Sequence, residues 1–380
     1  MLLLSYIKMT LNPENSQAND RIYFPELDGL RFFAFLLVFI HHHPFFGNIP
    51  YLSFFHKHGG VGVDLFFVLS AFLFTKLLIA EYNKTQTISF KKFYIRRIFR
   101  IWPIYYLFVA AVVSLYYFKN GAISEDIKTR LFGLLTFTDN IFTSINGFNS
   151  IPFTSHLWTI AFEEQFYIFI PFLIYFLVKS SFKTKISALI SSFFIFSLIK
   201  FLFIYNAAPH PTIWALPITH FESIMFGIII GFGGFDFLLK KINALLIGVI
   251  SLFLFLLLKF LTPYDETTYL LFLTLLLVGV SMSFILFSVL NNSGLKKFLS
   301  GRFLVFMGKR SYGLYLYHII ANGTVSFMIL HIQGMPSHPA FTFILSLIIT
   351  ITLSVISYKI IETPFLKLKK KFEVIISRPI

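Results

Sequence analysis

The 380-residue sequence contains no cysteine. That excludes a disulfide framework, a thiolate nucleophile and any cysteine-based metal site. Charge is scarce as well, at 13% of residues, and acids are scarcer than bases, 17 against 32, which leaves a formal net charge of +15. Hydrophobic residues make up 57% and aromatics 19%, and apolar runs of about 20 residues recur along the whole length. Such a chain reads as an all-α integral membrane protein. The basic excess gathers in short clusters between apolar runs, so it points to orientation in a bilayer and away from nucleic acid. The opening MLLLSYIKMTLNPENSQAND has too short an apolar run for a signal-peptide core and no small-residue cleavage pattern, so the first membrane helix is expected to direct insertion. Met9 is an alternative start to Met1.

Cutting at polar and Pro/Gly breaks gives about ten transmembrane helices, at 28–46, 61–82, 101–119, 157–179, 185–206, 214–236, 242–261, 268–290, 310–331 and 340–362. A weaker run, LFGLLTFTDNIF (131–142), reads as a re-entrant or interfacial piece. Basic clusters at 84–100, 179–185, 240–241, 296–310 and 367–371 fall on alternate loops and the C-terminal tail, whereas the other side is expected to carry few, among them Lys57, Arg130 and Lys200. By the positive-inside rule both termini are cytoplasmic. The expected organisation is a cytoplasmic segment over 1–27, one transmembrane domain over 28–366 and a basic cytoplasmic tail over 367–380.

Ionisable residues within the oily runs carry the chemistry. In RFFAFLLVFIHHHPFF (31–46), eleven helical steps bring Arg31 and His42 within about 20° of one face and separate them by roughly 16 Å along the axis. His41 and His43 point elsewhere. FYIRRIFRIWPIYY (93–106) sets Arg97 and Arg100 three apart, on one face, where guanidinium forks suit a phosphate-rich anion. The same string also suits an anchor against anionic headgroups, with Trp102, Tyr105 and Tyr106 in the aromatic belt. HLWTIAFEEQFYIFIP (156–171) places Glu163 and Glu164 in the membrane, at a cost of about 2.5–3.5 kcal/mol each on insertion scales. Glu163 lies at a depth suited to orienting His42 as a general base, or to a salt bridge with an intramembrane base. KRSYGLYLYHII (309–320) sets Ser311, Tyr315 and His318 near one face, as a polar cavity lining or as a helix–helix contact. GVDLFFVLSAF (62–72) offers Asp64 and Ser70, and IETPFLKLKKK (361–371) offers Glu362 before the basic tail. Either acid also suits simple pairing with a neighbouring base.

Six strings in order, LDGLRFFAFLLVFIHH, GVDLFFVLSAF, FYIRRIFRIWP, LWTIAFEEQFY, GKRSYGLYLYH and IETPF, make nearly the whole chain resemble the acyltransferase 3 family of bacterial membrane O-acyltransferases. The resemblance implies transfer of an acyl group, usually acetyl from cytoplasmic acetyl-CoA, to a hydroxyl of an envelope glycan or lipid-linked glycan, in the bacterial plasma (inner) membrane. It implies that His42 is the catalytic base paired with Arg31 in an arginine, ten residues, histidine signature. Arg97 and Arg100 match its Arg-x-x-Arg donor-handling signature, with Ser70 placed beside them at the donor site. Glu163 matches a catalytic acid, and Ser311, Tyr315 and His318 match a Ser-Tyr-x-x-Tyr-x-x-His string which, with Asp64, is assigned to the substrate cavity. Two departures stand out: Ala71 where glycine is usual, and His220 with Glu222 where an arginine and an aspartate are common. The extracytoplasmic esterase-like domain fused to some relatives is not expected here.

The expected chemistry is direct attack on the acyl carbonyl, or an acyl-enzyme on Ser70, Ser311 or a tyrosine. No metal is expected, because a helix scatters three adjacent histidines around its axis. Two alternatives stay open: a succinyl- or other acyltransferase acting on a lipid, peptidoglycan precursor or small molecule, and a proton-coupled transporter or flippase using Glu163 and His42 as a relay. Acceptor, acyl group and oligomeric state are not legible in the sequence.

Overall fold

A computed structural model describes residues 21–44, 49, 52–261 and 267–377. The segment 1–20, with both candidate start methionines, lies outside the described residues. Among the described residues the chain is helical, with one isolated bridge between Arg21 and Ile376. Helices α1 (Pro25–His41), α2 (Gly62–Thr85), α3 (Phe90–Asn120), α4 (Trp158–Lys179), α5 (Phe182–Tyr205), α6 (Phe221–Gly231), α7 (Ala244–Leu256), α8 (Tyr269–Asn291), α9 (Ser311–His331) and α10 (Pro339–Ser357) answer to the ten apolar runs. Seven helical stretches are long and apolar enough to cross a membrane, those built on α2, α3, α4, α5, α8, α9 and α10. The other three are shorter. Pro217 opens the second of two short turns, Thr212–Ala215 and Pro217–His220, that precede α6 and divide the run expected over 214–236.

Helix α3 begins eleven residues before the expected boundary, at Phe90, so Arg97 and Arg100 lie inside a helix and not in a loop ahead of one. It ends where Gly121 takes a left-handed conformation, φ +72°, and accepts the helix C-terminus. The run read as re-entrant forms two short helices, Glu125–Leu135 and Asp139–Asn146. At its far end, α10 continues through a wide turn, Tyr358–Glu362, into Thr363–Lys369, so the expected tail folds back against the bundle.

Apolar surface gives no net drive between helices already in lipid, so close packing and polar contacts must hold them. Helix α10 shows how. Thr342, Ser346, Thr350 and Ser354 recur every four residues and are buried, while Ile344, Ile348 and Ile356 face outward. The small stripe lets α10 lie against α9, where Tyr317 donates to Ser357 Oγ at 3.0 Å. Helix α1 is held in a similar way by the short helix Arg302–Lys309: a Cβ at Gly308 would collide with the Asp28 backbone. The alanine at position 71 is accommodated from the other side, because a Cβ on Gly227 of α6 would stand 2.9 Å from the Ala71 methyl.

Two buried charge pairs fasten α2, α5 and α6. Lys200, expected in a loop, is buried in α5 and paired with Glu222. Asp64 accepts from Ser223 Oγ at 2.8 Å and lies 2.9 Å from His220 Nδ1.

Candidate active site

Arg31 lies six residues inside the N-terminus of α1 and His42 caps its C-terminus, and the two places have different chemistry. At the Arg31 end a cavity is lined by Asp28 and Arg31 from α1, Ser70 from α2, Arg97 and Arg100 from α3, Thr159, Glu163 and Tyr167 from α4, Ser311 and Tyr315 from α9, and Lys369. Seven of the residues singled out from sequence therefore share one space. Four cations line it, Arg31, Arg97, Arg100 and Lys369, against two carboxylates, Asp28 and Glu163. Such a lining attracts anions.

Arg31, Lys369 and Arg97 are each positioned by local partners. Arg31 Nη1 donates to Asp28 Oδ1 at 2.9 Å, and Tyr23 Oη donates to the other carboxylate oxygen at 3.0 Å. The three-residue spacing on one helix face produces that pairing. Lys369 is tied to Glu373 at 3.0 Å, one helical turn away. Arg97 is held differently. Its guanidinium stands 4.8 Å over the Phe74 ring and near Phe93 and Tyr167, and it makes no ion pair among the described residues. Aromatic faces fix the plane of the fork while leaving N–H groups for an incoming acceptor.

Glu163 does not orient His42. Its Oε2 accepts from Tyr167 Oη at 2.7 Å, and the charges acting on it are Arg31, Arg100 and Arg97. One helical turn separates Glu163 from Tyr167, so the acid is turned toward the cavity and its arginines. Glu164 faces Trp102, which donates to it at 3.1 Å.

The other end of α1 is a cluster of imidazoles. His42 Nδ1 lies 3.0 Å from the Val38 carbonyl and 3.2 Å from His318 Nε2. His318 Nδ1 lies 2.6 Å from the Tyr315 carbonyl. A carbonyl oxygen only accepts, so both Nδ1 atoms carry the hydrogen in the neutral rings. His318 Nε2 then offers its lone pair to His42 Nδ1–H, and His42 Nε2 is left with a bare lone pair. That assignment follows from the hydrogen-bond network and gives His42 the form a general base requires. Asn322 Nδ2 donates to the His42 carbonyl at 3.1 Å and fixes the backbone there. His41 is engaged by the His56 carbonyl at 2.7 Å, and His43 is buried against Phe39 and Phe343. Of the three consecutive histidines, His42 alone meets His318 among the described residues.

Tyr315 joins the two ends. Its ring lines the cavity, and its hydroxyl lies 2.6 Å from Thr159 Oγ1 and 3.2 Å from the His156 carbonyl oxygen. His318 follows it by three residues on α9, and the two rings are 5.4 Å apart. Asp64 does not share this space. It is buried between α2 and α6 with His220 and Ser223, outside the lining of the cavity that holds Arg31. Both contacts fall on Oδ1 of the acid, and the site where His220 replaces a common arginine serves that pairing. Sequence reasoning missed Asp28, Tyr167, Lys369 and His156. Asp28 was legible from its spacing to Arg31; Lys369 was masked within a run of basic tail residues that all suit the membrane surface.

Comparison with known proteins bears on the family. The family model described as an acyltransferase domain matches residues 24–359. A Staphylococcus aureus (strain COL) protein assigned provisionally as an O-acetyltransferase is 33% identical over 91% of this chain and 58% of its own length. O-acetyltransferase OatA of Staphylococcus aureus (strain NCTC 8325 / PS 47) is 31% identical over 91% of this chain and 57% of its own length. The chain thus spans a little under three fifths of these relatives. No solved structure matches it. An acyltransferase-domain match over most of the chain, and a helical membrane bundle with a cationic cavity at one end and paired imidazoles at the other, place this chain in the acyltransferase 3 family, whose members transfer acyl groups other than aminoacyl groups.

Proposed function

We propose that the protein is an O-acetyltransferase of the bacterial inner membrane, with ten spans and both termini in the cytoplasm. It takes an acetyl group from cytoplasmic acetyl-CoA and places it on a hydroxyl of an envelope polysaccharide, such as a lipopolysaccharide O-antigen or an exopolysaccharide. The observation that carries this reading is the division of α1: anion-binding side chains at Arg31 and a free imidazole lone pair at His42, with Tyr315 between.

In this reading Arg97, Arg100, Arg31 and Lys369 hold the phosphates of the donor, and the pantetheine arm carries the thioester along α1 past Tyr315. His42 Nε2 takes the proton from the acceptor hydroxyl as its oxygen attacks the acyl carbonyl. The new C–O bond forms, the C–S bond breaks, and the proton passes from His42 to the departing thiolate. Ester and free CoA result. The roughly 16 Å rise between Arg31 and His42 lets a donor on one side of the bilayer meet an acceptor from the other.

Membranes containing the protein, given radiolabelled acetyl-CoA and envelope polysaccharide from the native host, should transfer label to the glycan. Membranes from a strain lacking the gene should not, and its glycans should have lost acetyl groups by mass spectrometry. Label transferred from succinyl-CoA but not acetyl-CoA would reassign the acyl group. Uptake of substrate without any acyl donor would replace the reading with transport.

A further inference from the structure

One buried imidazole has no role in the mechanism above. His156 precedes α4 and is almost completely buried, at 1% exposure. Its backbone is well fixed: three donors converge on its carbonyl, Tyr315 Oη, Thr159 Oγ1 and the Thr159 amide, at 3.2, 2.9 and 3.3 Å, and because the two hydroxyls also bond each other at 2.6 Å, one of them donates to the carbonyl and the other to its neighbour. Its ring is held by aromatic contact, 4.9 Å from His318, 5.3 Å from Tyr315 and 6.3 Å from Phe108. Yet among the described residues neither ring nitrogen meets hydrogen-bond geometry, the Leu316 carbonyl being the one acceptor near enough to act on the ring. Leaving a buried polar group unpaired costs about 1–3 kcal/mol. A residue whose main chain is clamped and whose polar atoms are left unpaired is built to receive something.

What it is built to receive follows from its place. The ring sits where the donor cavity ends and the histidine cluster begins, with Tyr315 on the cavity side and His318 and His42 on the other. In a direct transfer that is where the acyl carbonyl must stand. When the hydroxyl attacks, the carbonyl π electrons move to oxygen, which needs a donor. We propose that His156 is a further catalytic residue, presenting a ring N–H to the carbonyl oxygen of the acyl group as that oxygen gains negative charge. The proposal rests on the acetyl-transfer reading and adds a donor to it.

The charge state fits. Burial pushes the His156 imidazole down to about 3, with His42 as the next contribution in the same direction. The ring is neutral at physiological pH. A neutral imidazole always carries one N–H, so it polarises an oxygen without adding a buried cation. His42 supplies the lone pair and His156 the hydrogen, so two neutral rings divide base and electrophile.

The test uses the full-length protein in membranes and three variants: His156→Ala, His156→Phe, which keeps ring volume, and His156→Gln, which keeps an N–H. Removing one donor to a developing oxyanion lowers kcat by roughly 100- to 1000-fold. We expect that loss for Ala and Phe, an unchanged KM for acetyl-CoA, and a substantial part of the rate restored by Gln. With [carbonyl-¹³C]acetyl-CoA bound, the infrared carbonyl stretch should rise in frequency in Phe relative to wild type and return toward wild type in Gln. A Phe variant that transfers at the wild-type rate overturns the proposal and leaves the acetyl-transfer reading intact. Equal losses in all three variants, with no change in the carbonyl stretch, also overturn it and make His156 a packing residue. Failure of the wild type itself to transfer acetyl defeats the underlying reading and this one with it.

Discussion

At the Arg31 end of α1 the candidate side chains are guanidinium and ammonium groups steadied by carboxylates or aromatic faces: Arg31 by Asp28, Lys369 by Glu373, Arg97 by Phe74. At the His42 end the hydrogen-bond partners are a carbonyl, another imidazole and an amide, and among the described residues no carboxylate hydrogen-bonds His42. The contrast separates two tasks. Holding an anion requires permanent charge, whereas taking and returning a proton requires a ring whose lone pair is exposed and whose charge is not already fixed by an acid. A single helix carries both because eleven residues separate Arg31 from His42 by roughly 16 Å along its axis.

If that division is right, variants at the two ends should fail in different ways. Arg97→Ala should raise the KM for acetyl-CoA by about 10- to 100-fold with little change in kcat, since charge-assisted bonds to phosphate are lost before the reaction begins. Arg97→Lys should recover only part, because an ammonium neither forks nor stacks on Phe74 in the same way. Initial rates over a range of donor concentrations decide this.

His318→Ala should lower kcat by about tenfold and leave the KM for the donor unchanged, since the Val38 carbonyl still fixes the His42 tautomer while the second partner is gone. A KM effect comparable with that of Arg97→Ala would erase the distinction between the ends.

Asp64→Ala belongs to neither end. It leaves His220 and Ser223 without their acceptor and should destabilise the fold by about 3–5 kcal/mol, read as a lower melting temperature in detergent, with KM and kcat of the folded fraction unchanged. A specific change in donor KM would return Asp64 to the site.

The smallest effect is expected in the short helices between α3 and α4. Burial raises the Asp139 carboxyl to about 6, opposed by Arg130 and by a hydrogen bond from Asn149. The folded protein then binds a proton that the unfolded chain has already released between about pH 4 and 6, so this group's contribution to stability falls as pH rises through that window. Asp139→Asn should flatten that slope in pH-dependent thermal unfolding and leave transfer unchanged.

The apolar runs made ten helical stretches legible, because hydrophobic length and Pro/Gly breaks are local properties. Periodicity also picked His42 out of three histidines, since an eleven-residue interval closes three turns whatever surrounds the helix. Pairings across helices were less legible. Glu163 and His42 were both recognisable as ionisable groups in an oily setting, but the partner of each depends on helix rotation and depth: Glu163 found Tyr167 and the arginines, and His42 found His318. Asp64 looked like a cavity acid until α6 supplied His220. His156 escaped because a lone histidine before a tryptophan has no period to mark it. Its unpaired nitrogens exist only once α9 is packed alongside.

The most direct test of the division is to measure donor binding and turnover on one preparation of the His42→Ala protein. The account predicts wild-type affinity for acetyl-CoA together with a loss of transfer of about 100-fold or more. Transfer at the wild-type rate, or loss of donor binding in parallel with transfer, would contradict it.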